Sequence, residues 1–252
     1  MPSRKLHLFI RKSHRYLGVL LGIQFLLWTI GGLYFSWSDI DEIHGDFQRK
    51  QPLHLPGTIS MISPSSALQM NLIRPDSIHS LQLINILQRP FYSIKYFSTQ
   101  QLKTIVIDAE TGKLRAPISK AEAIAVAREN FAEKVPVKSV EYIQQVSKHS
   151  EYRARPLPAW KITFDHPSNT NVYVSSLLGK VETFRNKKWR IFDLLWMFHT
   201  MDYNGRDNIN NWVLRAFSMF GLVTVLSGFI LFFVTSRLFR KSKRRHHEFS
   251  IS

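Results

Sequence analysis

The chain of 252 residues contains no cysteine. This absence excludes disulfide bonds, thiolate catalysis, iron–sulfur ligation and covalent attachment of haem through a CxxCH motif. Acidic residues are also scarce, since 18 Asp and Glu stand against 34 Lys and Arg, a formal net charge of +16. Such an imbalance is typical of proteins that bind nucleic acid or anionic membranes, so the positions of the charges must decide between them.

Much of the positive charge lies beside two long apolar runs. Residues 16–35 form a run of 20 residues without a charge, and residues 216–234 form another of 19. A helix of either length can cross a hydrocarbon layer of about 30 Å. The flanks of the two runs hold 11 of the 34 basic residues. Nucleic-acid binding is therefore a poor interpretation, and the positive flanks predict that both termini are cytoplasmic.

Two spans with cytoplasmic termini place the middle of the chain outside, and we predict a bacterial inner-membrane protein with a periplasmic central region. A cleaved signal peptide is the alternative for residues 1–35, but their apolar run exceeds the 7 to 15 residues of a signal core and no small-x-small cleavage pattern follows it. The predicted segments are a basic cytoplasmic N-terminus (1–15), a first span (16–35), an extracytoplasmic region (36–185), an amphipathic interfacial segment (186–210), a second span (211–235) and a basic cytoplasmic tail (236–252).

The extracytoplasmic region contains a loose internal repeat, with halves of about 60–115 and 116–185. Each half opens with a helix signal, at Ser63 in the first and at Ser119 in the second, where Glu122 completes a capping-box spacing. Each half continues with alternating β-type runs and a glycine-containing turn, which predicts an antiparallel hairpin. The order is then helix, hairpin, helix, hairpin, and the sequence leaves open whether the halves form two modules or one continuous sheet. The predicted strands are 91–97, 104–108, 159–164 and 171–175.

The segments IVIDAETGKL, ISKAEAIAVA, PAWKITF and NVYVSSLLGKV resemble the PepSY domain, an α+β module in which a helix packs on an antiparallel sheet. The flanking segments HRYLGVLLGIQFLLWTIGGLYF and FHTMDYNGRD resemble the PepSY-associated transmembrane family. The resemblance covers nearly the whole chain. It implies a membrane α+β protein in which two transmembrane helices flank an extracytoplasmic PepSY-like module, in tandem. It also implies a regulatory or inhibitory role toward a membrane or periplasmic protein partner, accessory to iron or siderophore uptake.

Two histidines match the family pattern, His14 in HRYLG and His199 in FHTMDY. Larger relatives with more spans resemble haem-carrying membrane reductases, which makes His14 and His199 the candidate ligands of a b-type haem. The predicted topology separates them by about a bilayer thickness, because His14 lies at the cytoplasmic end of the first span and His199 on the outer side. Shared ligation would then need a second copy or a partner subunit. The alternative is that both are ordinary polar residues at the membrane boundary.

No motif of an enzyme is present: the chain has no GxSxG, no HExxH and no glycine-rich phosphate loop. A non-enzymatic binding protein is therefore the first expectation, and a haem-dependent membrane reductase subunit is the alternative. His44 and His199, with acidic neighbours, form a weaker metal-site hypothesis.

Small residues mark the apolar runs, with Gly18 and Gly22 in GxxxG spacing on the first. Such faces let helices approach closely, so we expect them to pack the two spans together, with a homodimer interface as the alternative. Arg190, Arg206 and Arg215 precede the second run, and we expect them to reach lipid phosphates, with binding of an anionic ligand as the alternative.

Overall fold

The computed structural model describes residues 4–51 and 53–235, which form two compact units. Residues 38–192 make up the α+β unit, while the first helix and the chain from Asp193 onward make up the helical unit. The helices are α1 (Arg4–Trp37), α2 (Ile40–His44), a 3₁₀ turn (Asp46–Gln48), α3 (Pro64–Met70), α4 (Lys120–Asn130), α5 (Lys187–Thr200) and α6 (Trp212–Thr235). The strands are β1 (Ser77–Ile86), β2 (Arg89–Ser98), β3 (Gln101–Asp108), β4 (Val137–Ile143), β5 (Ala159–Phe164), β6 (Asn171–Ser175) and β7 (Val181–Arg185).

The strands form two separate antiparallel sheets, one in each half of the repeat. The first has the order β1-β2-β3 and the second β4-β5-β6-β7, so every strand pairs with its neighbour in sequence. Tyr92 lies opposite Ile107 in the first sheet, and Ile162 opposite Val172 in the second. The structure thus answers what the sequence left open, because the halves do not share one continuous sheet.

The sequence did not predict β7, which follows the turn expected at 178–181, and it did not predict the first strand of either sheet, β1 in the first and β4 in the second. Both are edge strands, paired on one side only. Their side chains are mostly exposed or half-buried and lack a clean apolar alternation. An edge strand is held by its ladder of backbone hydrogen bonds, so it needs no buried stripe that a sequence pattern could reveal. The predicted hairpins are therefore three- and four-stranded meanders.

Both predicted helix starts are confirmed. The Ser63 hydroxyl accepts a hydrogen bond from Ser66 N at 3.1 Å. At the second start, Ser119 Oγ accepts from Glu122 N at 3.3 Å and Glu122 Oε2 accepts from Ser119 N at 2.8 Å, which is a complete capping box. These local bonds fix where α3 and α4 begin, since they satisfy backbone donors that the helix itself cannot.

The two faces of the first sheet contribute to different hydrophobic clusters. Tyr92, Ile94 and Ile107 pack with Leu68 of α3. Phe91 and Val106 point to the opposite face and join the larger cluster, which also holds the buried residues of α4 and of the second sheet. The larger cluster is centred on Phe131, whose ring stacks on Phe164 at 4.4 Å between centroids. The first sheet therefore joins the two halves through one shared core.

In the helical unit, Arg15–Trp37 of α1 and Trp212–Phe229 of α6 are long and apolar enough to cross a membrane. The two helices pack through Trp28 and Phe217, whose ring centroids are 5.2 Å apart. The predicted use of Gly18 and Gly22 is not observed, because a Cβ atom added at either would meet nothing within 4 Å outside its own helix. Residues 201–211, the turn segment, connect α5 to α6.

Candidate functional site

The α+β unit has a cavity of about 390 Å³ where the first sheet meets α4. Its walls come from the β1–β2 turn, the end of β3 with the turn that follows, and the start of α4. Three basic and two acidic side chains line it together with apolar ones: Arg89, Lys113, Arg115, Asp108, Glu122, Ile86, Leu87, Phe91, Leu114 and Thr111. We call it the inter-repeat cavity, since both halves of the repeat supply its walls.

Asp108 is the more deeply buried of the two acids, with a side chain only 10% exposed. Arg89 Nη2 donates to its carboxylate at 2.6 Å, and the N–H groups of Glu110 and Thr111 donate at 3.0 and 2.9 Å. Burial raises the pKa of Asp108, but the hydrogen bonds of Thr111 and Glu110 and the charge of Arg89 outweigh it and hold the pKa below its ordinary value. Asp108 therefore remains charged and fixes the turn at the rim of the cavity.

Arg115 also lines the cavity and is held in place. Its Nη2 donates to Glu122 Oε1 at 2.6 Å, and its guanidinium lies 4.7 Å above the centre of the Phe91 ring. The backbone N–H of Ser119 is the main cause that lowers the pKa of Glu122, with burial opposing it and Arg115 adding to it. Arg115 Nη1 is buried and has no hydrogen-bond partner in the described part of the chain. Arg115 thus has one buried donor that no described residue satisfies, while the rest of its side chain lines the cavity.

This arrangement suits a ligand that combines an anionic group with an apolar part. The volume lies within the roughly 300 to 1,000 Å³ typical of small-molecule sites. Both acids are engaged by arginines, while Lys113 has no acidic partner in the residues that the structure describes. Leu114, which is 53% exposed, supplies apolar surface beside these cations, whereas the Phe91 ring is buried beneath Arg115. Sequence reasoning missed the site because its residues are spread from β1 to α4 with no motif spacing.

A Glu–His–Ser arrangement at the β5–β6 turn is a second group that no motif had indicated. His166 Nε2 lies 3.1 Å from Glu133 Oε2, and His166 Nδ1 lies 2.6 Å from Ser168 Oγ. The same hydroxyl also contacts Gln48 Nε2 at 2.8 Å and Thr170 Oγ1 at 2.7 Å. Three partners exhaust the one donor and two acceptor positions of a hydroxyl, so none remains for a substrate. The group fastens the 3₁₀ turn to the second sheet and is structural.

His199, one of the two histidines singled out from the sequence, lies in the helical unit against α1. Its ring is 5.6 Å from Trp28, 5.8 Å from Phe35 and 6.2 Å from Trp196, onto which it stacks at 12°. Its Nδ1 is buried with no hydrogen-bond partner in the described residues. His199 is thus half-buried among aromatic rings, with its Nδ1 atom fully buried.

His14 lies in α1, but its side chain is outside the described residues. It precedes Trp28 by 14 residues, which is about 21 Å along the helix axis. Because His199 contacts Trp28, the two imidazoles of one chain do not fit opposite faces of one haem. No group of three or more His, Asp or Glu with metal-binding geometry occurs in residues 4–51 and 53–235, which leaves the His44 hypothesis without support.

Arg190 and Arg206, expected to reach lipid phosphates, are both paired within the protein. Arg190 Nε donates to Glu151 Oε2 at 2.7 Å in the α+β unit. Arg206 Nη1 forms an ion pair with Asp193 in the helical unit. Both acids lie far from their arginine in sequence, so no local spacing could have indicated these pairs. The prediction of lipid contact is replaced by internal ion pairing.

Comparisons of the chain with protein-family profiles, with curated proteins and with solved structures give no match.

Proposed function

We propose that this chain is an inner-membrane protein with two spans that presents its α+β unit outside the cytoplasm as a ligand-binding and regulatory module. The observation that carries the proposal is the placement of the α+β unit between two long apolar helices whose outer flanks are basic. A chain with this order keeps both termini on one side and the module on the other. The resemblance to PepSY proteins supports a periplasmic module with a membrane or periplasmic partner, accessory to iron or siderophore uptake.

The inter-repeat cavity is the binding element that we assign to this module. It combines the cationic groups of Arg115 and Lys113, the latter without an acidic partner among the described residues, with the exposed apolar side chain of Leu114. An anionic group of a ligand or partner gains charge-assisted hydrogen bonds there, while its apolar part covers Leu114. The anchors tether the α+β unit to the membrane, so a partner in the same membrane meets it at high local concentration.

The test is site-specific photo-crosslinking in intact cells. A photoreactive residue at Leu114, on the cavity wall and 53% exposed, should capture a ligand or partner. The same residue at Leu102 is the control, since it is 51% exposed but lies at the far end of β3, about 17 Å from the strand position that Leu114 pairs with. We expect the Leu114 adduct to vanish in an Arg115→Met variant that keeps the wild-type melting temperature. Equal adducts at both positions, or an adduct that survives Arg115→Met, would contradict the assignment.

The second candidate function is electron transfer by a b-type haem. His199 supports this candidate, because its Nδ1 has no hydrogen-bond partner among the described residues. The geometry of one chain does not bring His14 to it, so the haem would need ligands from another copy or subunit. An absorption spectrum of the purified full-length protein, oxidised and then reduced with dithionite after expression with haem precursor, separates the two candidates. We expect no Soret band. A band that disappears in His199→Ala would favour the redox function instead.

A further inference from the structure

The four edges of the two sheets differ in how they are protected against pairing with another chain. Residues 113–115 cover part of the edge of β3, and the remainder of that strand carries Lys103. Strands β4 and β7 each carry one acidic and one basic residue. Charged side chains and covering segments keep an edge strand from pairing with a foreign strand. Strand β1 carries no such charge, since its ten residues include no Lys, Arg, Asp, Glu or Pro.

The unpaired backbone groups of β1 lie along its middle. The backbone N–H that follows β3 donates to Pro90 O at 3.0 Å, so Pro90 and every second residue after it in β2 turn their backbone groups toward β3. Tyr92 and Ile94 belong to this set and lie opposite Leu83 and Leu81 of β1. Opposite residues of an antiparallel pair turn their groups either toward each other or both away, so those of Leu81 and Leu83 point to the open edge. No backbone hydrogen bond from outside the sheet reaches either leucine in the described part of the chain.

The side chains beside these open groups are apolar. Leu81 and Leu83 lie opposite Ile94 and Tyr92, so they share the face of the first sheet on which α3 packs. They do not belong to the cluster under α3 and are 42% and 47% exposed. Ile78 lies on the same face and is 50% exposed. Open backbone groups and exposed apolar side chains therefore coincide on one strand.

We infer that β1 pairs in antiparallel orientation with β1 of a second copy of this chain, which joins two three-stranded sheets into one sheet of six strands. A two-fold axis at Gln82 places Leu81 of each copy opposite Leu83 of the other. Each such pair exchanges two backbone hydrogen bonds, about four in all. The pairing uses only the open part of the edge, since Asn85, whose Nδ2 donates to Leu53 O at 2.7 Å, lies beyond it.

Two properties of β1 favour a copy of itself as the occupant. The strand is uncharged, so no like charges face each other across the axis, whereas the net charge of +16 makes contact between copies repulsive at other surfaces. Its two leucines also meet the same pattern reversed, which makes the edge complementary to itself, as a two-fold interface requires. The inference goes beyond the proposed function and does not depend on membrane insertion.

The absence of cysteine allows a direct test in the purified full-length protein. Gln82 is exposed and lies on the axis, in a pair without hydrogen bonds whose Cα atoms are about 4.5 Å apart, a distance that permits a disulfide. Oxidation of Gln82→Cys should therefore give a covalent dimer. The control is Gln101→Cys, because Gln101 is an exposed glutamine on β3. We expect Gln82→Cys to crosslink about 100-fold faster, since paired thiols react at an effective concentration of about 1 mM against about 10 μM for free protein.

A charge on the edge should abolish the pairing. Leu83→Lys, added to Gln82→Cys, places two ammonium groups near the axis and should slow crosslinking to the rate of Gln101→Cys. Leu102→Lys is the matched substitution, because Leu102 is 51% exposed and lies on β3. It should leave the crosslinking of Gln82→Cys unchanged.

Three results would overturn the pairing. In the first, Gln82→Cys crosslinks no faster than Gln101→Cys, and a dimer seen by light scattering would then be held by another surface. In the second, crosslinking is equally fast with Leu83→Lys and with Leu102→Lys, so the contact does not run along β1. In the third, Gln82→Cys forms a disulfide with a different protein in oxidised cells and no covalent dimer, which assigns the edge to that partner. Melting temperatures within a few degrees of the unsubstituted protein show that each variant is folded.

Discussion

Replacing Glu151 by alanine gives the sharpest test of how the α+β unit is held together. The Glu151 carboxylate accepts hydrogen bonds from Tyr173 Oη at 2.7 Å, from Arg190 Nε at 2.7 Å and from the Asn171 side-chain amide. These partners lie on β6 and at the start of α5, so one carboxylate joins a loop, a sheet and a helix. The Glu151 side chain is only 19% exposed, so we expect these hydrogen bonds to contribute substantially to the free energy of unfolding.

The magnitude follows from what the substitution leaves behind. Tyr173 and Asn171 are 2% and 7% exposed, so each would keep a buried donor without an acceptor, at about 1 to 3 kcal/mol each. Arg190 is 35% exposed and can be solvated again, so it adds little. We expect Glu151→Ala to lower the free energy of unfolding by about 3 kcal/mol, which for a unit of this size is a fall in melting temperature of about 6 to 12 °C.

The assay is thermal unfolding of the full-length protein in detergent, followed by near-ultraviolet circular dichroism. Glu141→Ala is the matched control, because Glu141 also faces a cation, Lys161 at 3.3 Å, but is 55% exposed. A surface pair of this kind contributes at most about 1 kcal/mol, so the control should shift the melting temperature by less than about 3 °C. Equal shifts in the two variants would refute the reasoning.

The same residue predicts a pH dependence. Burial raises the pKa of Glu151, but the hydrogen bonds of Arg190, Tyr173 and Asn171 and the charge of Arg190 lower it more, so the folded pKa lies below the ordinary value of 4.5. A depressed folded pKa means that the carboxylate stabilises the fold above pH 4.5, and that this contribution is lost as the pH falls through the folded value. The difference in melting temperature between wild type and Glu151→Ala should therefore shrink below pH 4.5. An unchanged difference at pH 3.5 would contradict this.

Three further substitutions test local features. Gly112→Ala should cost about 2 kcal/mol, because Gly112 has φ +71° and its added Cβ would meet a neighbouring side chain at 2.6 Å, whereas Gly57→Ala, with open space around it, should change the melting temperature little. Ser119→Ala removes the capping box of α4 and should cost about 1 kcal/mol in the same unfolding assay; no loss would mean that the cap does not fix the helix start. Trp28→Phe removes one of the two side-chain donors to the Phe198 carbonyl oxygen. In an unfolding titration with denaturing detergent we expect it to lower the free energy of unfolding by about 0.6 kcal/mol. A loss above about 2 kcal/mol would mean that the indole acts through packing rather than through its hydrogen bond.

Features with a short-range signal were predictable. Strands β5 and β6 have the predicted bounds; β6 is buried along its whole length, and β5 is buried at Ala159, Ile162 and Phe164, so short apolar β-type runs sufficed to locate them. The capping box of α4 needs only residues three apart. Edge strands β1 and β4 escaped prediction because their stability comes from pairing with a neighbour rather than from burial. The spacing of Gly18 and Gly22 predicted close packing of α1 against α6 at these glycines, which the structure does not show. A face of small residues permits close packing, but it does not specify which helix packs there.

The candidate sites were less predictable, because their residues are distant in sequence. The inter-repeat cavity draws on the β1–β2 turn and on α4, which meet only when the two sheets share a core. Arg190 was expected at lipid phosphates and instead pairs with a carboxylate 39 residues earlier. His199 could be singled out by resemblance alone, but its enclosure by rings of α1 and α5 is a product of helix packing.

By itself the sequence determined the two apolar runs with their basic flanks, the polar region between them and the local starts of α3 and α4. These features depend on composition, periodicity and bonds within one turn of chain. Only the tertiary structure decided that the repeat forms two sheets around one core, that a charged cavity lies between the first sheet and α4, and that the turn after α5 meets α1 at Gln24. The physical reason is that each of these depends on contacts between segments far apart in the chain, such as the Gln24 bond to Phe198 across 174 residues, and no local pattern encodes such a distance.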